Sequence, residues 1–166
     1  MYYILSVGQT FSFLIKKGGD NMSKILLMGH GNFASGLKSV LDLVVGSDEN
    51  ILVCDFTQDK TPEIYKDEII HLLKDTNNSE SIYCFSDILG GTPFKLACEL
   101  KSEGLNIEVF SGVNIPMLIE TAINIKCGLD INTLDILNVG KDSVFYYKIK
   151  ENIGKESVNT LCEEGI

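Results

Sequence analysis

The chain contains no arginine, and among its 166 residues there are only 3 prolines and 2 histidines. Without arginine there is no planar guanidinium fork to hold phosphate in two parallel hydrogen bonds, so any phosphate must be held by backbone amides, lysine or hydroxyls. All 14 basic residues are lysines, and they face 23 acidic ones for a formal charge of -9. Nucleic-acid binding, which needs clustered cations to replace counterions along a phosphate backbone, is thereby excluded as a function. An acidic surface suits instead a basic protein partner, whose encounter it accelerates.

No stretch is rich in proline, serine or glutamine and no segment repeats, so neither a flexible linker nor a disordered region is expected. Cys54, Cys84, Cys98, Cys127 and Cys162 are odd in number and widely spaced, with no CxxC pair. That is the usage of buried thiols in a reducing cytosol, and the chain reads as cytoplasmic. The apolar stretch Met1 to Ile15 is too short to span a bilayer, and its lysines, Lys16 and Lys17, follow it where a signal peptide would have them precede. Lys17-Gly18-Gly19-Asp20 can be encoded by a purine-rich ribosome-binding sequence lying just before Met22. Residues 1–21 are therefore expected to be translated leader.

What is present is enough apolar sequence, 45% of the residues, to bury the core of one domain. From Lys24 onward, short runs of β-formers alternate with longer amphipathic segments, the pattern of βαβ units around a parallel sheet. Strands are expected at Lys24 to Met28, Asn50 to Asp55, Ser81 to Ser86, Asn106 to Phe110 and Val144 to Lys150. Phe33, Leu37, Val40, Leu41 and Val44 recur at the spacing of one helical face. Thr61-Pro62 reads as a cap followed by proline at the first helical position, and Thr92-Pro93 repeats it. Pro116 opens a further helix, and Ile131 to Leu137 a short one. In an open α/β sheet of this kind, ligands bind beyond the carboxyl ends of the strands, where helix N-termini converge. The loops to inspect are thus 29–32, 55–61, 86–92 and 111–115.

The first of these reads Gly29-His30-Gly31-Asn32 and places an imidazole at a strand end between two residues that leave room around it. The third reads Ser86-Asp87-Ile88-Leu89-Gly90-Gly91-Thr92-Pro93-Phe94. Asp87 can accept a hydrogen bond from one ring nitrogen of His30, leaving the other as nucleophile. Gly90-Gly91 before a capped helix can form an amide-lined anion cradle, to which Thr92 adds a hydroxyl. Each feature alone has a plainer explanation: a turn histidine, an Asx-turn acid, a tight turn. Together they point to a phosphohistidine site. There is no nucleophile elbow for serine-hydrolase chemistry. His71 falls mid-helix, so His30 lacks a second strong metal ligand and no metal or cofactor is called for.

The segments GHGNFASGL (29–37), SDILGGTPF (86–94) and SGVNIPMLIE (111–120) resemble, in order and spacing, the signature segments of the mannose-family enzyme IIA components of sugar phosphotransferase systems. The resemblance implies a flavodoxin-like doubly wound, mainly parallel open sheet over residues 22–150, followed by a polar tail, 151–166. It implies a last antiparallel strand, Val144 to Lys150, that can be exchanged across a homodimer. It implies that His30 takes phosphate on Nε2 from the phosphohistidine of HPr and gives it to a histidine of a IIB component, with the membrane IIC and IID components downstream. Asp87 then matches the family aspartate that holds the other ring nitrogen, Gly90, Gly91 and Thr92 the phosphate loop, and Asn32, Phe33, Asn114 and Met117 a docking surface, although Pro116 equally reads as a plain helix start with Met117 packed in the core. Ile88 and Leu89 stand where the family has a hydroxyl residue and a tryptophan. Two other readings fit the same residues: the phosphocarrier subunit of a dihydroxyacetone kinase, and a regulatory or ligand-binding module of the same fold.

Overall fold

A computed structural model describes residues 2–6, 12–16, 23–76 and 80–147. Two strands near the N-terminus, β1 (Tyr2–Ser6) and β2 (Ser12–Lys16), pair antiparallel as a hairpin. That hairpin is a sheet of its own. Among the described residues, the main sheet has four parallel strands: β3 (Lys24–His30), β4 (Ile51–Phe56), β5 (Ile82–Ser86) and β6 (Ile107–Ser111). Their order is β4-β3-β5-β6, the doubly wound order of flavodoxin-like folds, with the first strand of the unit at the centre and the direction of winding reversed beside it.

Among the described residues, five helices cover the sheet: α1 (Phe33–Val44), α2 (Pro62–Leu73), α3 (Thr92–Ser102), α4 (Ile115–Cys127) and α5 (Thr133–Asp142). The two-residue period of the strands sends alternate side chains to opposite faces. Ile25 and Leu27 of β3 join Phe85, Phe110 and residues of α1, α4 and α5 in one core cluster. Leu26 and Met28 join Cys54, Cys84 and residues of α2 and α3 in the other. Burying both faces is why the central strands read as continuous apolar runs, and each fully buried Leu or Ile contributes about 1.5–3 kcal/mol.

The helix starts follow from their caps, with two adjustments. Thr61 caps α2 through Ile64 N, with Pro62 at the first helical position. In α3 the cap is Gly91, so Thr92 is itself the first helical residue and no capping bond engages its hydroxyl. Asn114 caps α4, which opens at Ile115, one residue ahead of the expected Pro116. The short helix expected to end near Leu137 runs on to Asp142 as α5, because Gly140 lets it lie against Met117.

That extension bears on the fifth expected strand. The chain leaves α5 at Ser143, and residues 144–147 are coil with exposed side chains. Residues 148–150, the tail 151–166 and Cys162 lie outside the described residues. Among the described residues, β6 has no neighbour on its outer side.

Candidate functional site

β3 ends on His30 at the centre of the sheet, and each neighbouring strand brings one residue to it. In the register of the ladder His30 lies opposite Phe56, the last residue of β4. On the other side β5 ends at Ser86, and Asp87 follows at once. The Asp87 carboxylate holds His30 at two points: Oδ2 accepts from the backbone N at 2.8 Å and lies 2.8 Å from the imidazole Nδ1. Its other oxygen accepts from Ile88 N at 2.7 Å. Asp87 is in turn fixed through its backbone, since its carbonyl accepts from Gly112 N at 3.0 Å. The sequence window 111–115 thus borders the site from behind.

Partial burial pushes the Asp87 carboxyl up, but the His30 backbone N–H, the His30 ring and the Ile88 N–H overcome it, and the group lies below its ordinary value. An ionised carboxylate can only accept, so the proton of a neutral imidazole is held on Nδ1. Nε2 is left with its lone pair, on a side chain that is 40% exposed.

The glycine-rich loop closes on the ring. A Cβ on Gly91 would stand 2.9 Å from His30 Cε1, so only glycine lets the backbone come this close. Gly90 has φ of 76°, the left-handed region. The loop differs from an all-amide cradle in one respect: Gly91 N donates to Ile88 O at 3.0 Å and is already engaged. The amides of Gly90, Thr92 and Phe94 have no partner among the described residues, and Pro93 has no N–H to offer. Such first-turn amides, at the positive end of a helix, are suited to an anion.

The other expected residues separate. Asn32 is exposed and Phe33 half-buried, both on the rim. Met117 is only 3% exposed and packs in the core. Asn114 uses its side chain internally: Oδ1 accepts from Met117 N, and Nδ2 donates to Gly140 O at 2.8 Å and to Ser143 Oγ. Met117 is therefore not presented to a partner, whereas Asn114 stays half-buried with its side chain engaged internally. His71 is exposed, and no group of three or more His, Cys, Asp or Glu able to hold a metal occurs among the described residues.

Two residues were not singled out from sequence. Asp55, at the end of β4, accepts from Ser35 N and so caps α1 from outside, where Asn32 makes no side-chain cap. Phe56 sets its ring against His30, with centroids 5.6 Å apart and planes at 68°. Their position at the end of a strand adjoining β3 was the available signal.

Residues 24–134 match the model of the EIIA-man family, described as PTS system fructose IIA component, PTS being the phosphotransferase system. The chain belongs to this family. It is 27% identical over 99 residues to the fructose-specific EIIA component of Bacillus subtilis (strain 168), covering 60% of this chain and 68% of that one. It is 28% identical over 101 residues to the sorbose-specific EIIA component of Lacticaseibacillus casei, covering 61% and 72%. The crystal structure of phosphotransferase system component EIIA from Streptococcus agalactiae superposes with a TM-score of 0.62 at 28% identity, over 73% of this chain and 91% of that one. As an EIIA-man protein the chain is a phosphotransferase-system component, with His30 at the switch point of its sheet.

Proposed function

We propose that this EIIA-man chain is a cytoplasmic phosphocarrier that accepts a phosphoryl group on Nε2 of His30 from the phosphohistidine of HPr and passes it to a histidine of a IIB component, upstream of membrane IIC and IID. The observation that carries this reading is the 2.8 Å contact between Asp87 Oδ2 and His30 Nδ1, which leaves Nε2 as the nucleophilic nitrogen. In the transfer, the Nε2 lone pair forms a bond to phosphorus while the P–N bond to the donor ring breaks, and its electron pair returns to the donor nitrogen. The phosphorylated His30 ring keeps its proton on Nδ1 and becomes cationic, and the adjacent Asp87 carboxylate balances that charge. The transition state is loose, so positioning and amide donors suffice. The amides of Gly90 and Thr92 and the Thr92 hydroxyl are our candidates for holding the phosphoryl oxygens, with Phe94 N joining them.

We also propose a homodimer in which the segment 144–150 of one copy pairs with the outer edge of β6 in the other. In support, a groove of about 560 Å³ runs beside β6, lined by Leu89, Phe94, Val109, Thr133 and Leu137 among others. Val144, Phe145, Tyr146 and Tyr147 are exposed in the single chain.

The test is to incubate the purified chain with phosphoenolpyruvate, enzyme I and HPr and to measure its intact mass. An acid-labile, base-stable phosphate that maps to His30, and is lost in His30→Ala while the fold persists, supports the reading. Labelling retained in His30→Ala, or no labelling while HPr itself is phosphorylated, overturns it.

A further inference from the structure

His30 is held by Asp87 at one atom only of its ring. A single hydrogen bond to Nδ1 fixes which nitrogen carries the proton, but it leaves the imidazole free to pivot about the bond, and the pivot swings Nε2. Something else must set the plane of the ring. On the side opposite Asp87, the Phe56 ring lies 5.6 Å from the His30 ring with the planes at 68°, an edge-to-face arrangement of the kind aromatic rings prefer. Phe56 is itself backed by Tyr65, at 4.8 Å between centroids. Tyr65 has no exposed surface, and its hydroxyl is anchored by donation to Cys54 O at 2.6 Å. The three rings are in successive contact from the core to the imidazole. Phe56 also accepts the Gly31 N–H on its backbone carbonyl at 2.9 Å, so the turn after His30 and the ring beside it are held by the same residue.

We infer that Phe56 is a positioning residue for phosphoryl transfer: by fixing the plane of the His30 imidazole it aims Nε2, while Asp87 decides the tautomer. The inference rests on the phosphocarrier reading above for its consequence in transfer, although the ring contact itself does not. The division of labour has a distinct signature. Substituting Phe56 leaves the backbone bond to Gly31 available and leaves Asp87 untouched, so the proton stays on Nδ1 while the ring loosens.

The experiment compares wild type with Phe56→Leu, Phe56→Met, which fills the space with a flexible unbranched chain, and Phe56→Tyr, which keeps the ring. Two quantities are read: steady-state transfer from phosphorylated HPr, and the NMR tautomer and relaxation of the His30 ring in the unphosphorylated protein. In the Leu and Met variants we expect kcat to fall about tenfold, KM for phosphorylated HPr to stay within about twofold, the Nδ1-H tautomer to persist and the ring order parameter to drop. Phe56→Tyr is expected to restore both kcat and order. Unchanged kcat and ring order in a folded Leu or Met variant would overturn the inference, as would a loss confined to KM, which would make Phe56 a docking contact. If wild type accepts no phosphate while the Leu or Met variant still loosens the ring, the phosphocarrier reading fails and the positioning of His30 by Phe56 stands.

Discussion

A single oxygen of Asp87 lies 2.8 Å from both the backbone nitrogen and the ring Nδ1 of His30. The strand end and the imidazole are thereby locked to one carboxylate, which a change of one atom can test. Asp87→Asn replaces an obligate acceptor by an amide that can donate to Nδ1, which moves the ring proton to Nε2 and removes the nucleophile. The rate of phosphate acceptance should fall on the order of a hundredfold or more, with the Nε2-H tautomer visible by NMR. A wild-type rate would take Asp87 out of the mechanism.

The same carboxylate gives a pH dependence. Its value in the folded chain lies below the ordinary one, because the His30 N–H, the His30 ring and the Ile88 N–H outweigh partial burial. The stability it contributes is fully present above the unfolded-state value and is lost as pH falls through the folded one. Denaturant melts taken from neutral into acid pH should therefore lose stability more steeply in wild type than in Asp87→Asn. Parallel curves would mean that the contact is not formed in solution.

Gly91→Ala separates geometry from backbone strain. Its φ of -66° and ψ of 168° suit any residue, so what the methyl group meets is steric: His30 Cε1 at 2.9 Å and Ile88 O at 3.1 Å. The variant should stay folded, with a stability loss of about 1–3 kcal/mol, while transfer slows and the His30 ring resonances move. Unperturbed resonances and rate would show that the loop gives way and does not confine the ring.

At the far side of the site, Gly140 makes room for Met117. A Cβ there would lie 2.5 Å from Met117 Cγ and 2.6 Å from Sδ, and the Gly140 carbonyl holds Asn114. Gly140→Ala should cost about 1–3 kcal/mol in urea denaturation, and combining it with Met117→Ala should cost less than the sum of the two single losses. Additive destabilisation in the double variant would argue against a direct clash.

The thiols should differ sharply in reactivity. Burial, reinforced by Glu68, pushes the Cys54 thiol up to about 12, and burial raises Cys84 as well. Cys98 is exposed. Alkylation of the native protein at neutral pH should therefore label Cys98 before Cys54 or Cys84, with peptide mapping as the readout, because only the thiolate reacts. Early labelling of Cys54 would mean that the edge beside β4 opens readily.

Much of the framework is legible before folding. Alternation of β-formers with amphipathic stretches places β3 to β6 and α1 to α4 within about two residues of their ends, an accuracy that local signals allow. Thr-Pro misleads once: Pro62 is the first residue of α2, but Pro93 is the second of α3. The cap moved to Gly91 because the 88–91 turn, closed by Gly91 N to Ile88 O, ends one residue earlier. The length of α5 was not legible, since a glycine inside a helix reads as a stop unless the partner that fills its space is known.

What the sequence determined by itself is the chemistry available: an arginine-free, acidic chain with one histidine between glycines, an aspartate before a glycine pair, and periods of two and 3.6 that set the elements. What only the tertiary structure decided is which of those groups meet. His30 and Asp87 are 57 positions apart, and their contact exists because the crossover through β4 and α2 sets β5 beside β3 in a particular register. Phe56 faces His30 through the other ladder, and Met117 turns inward because α5 packs over it. Local propensity specifies elements one at a time, whereas the pairing of strands and the packing of helices are settled only when the whole apolar surface is buried at once.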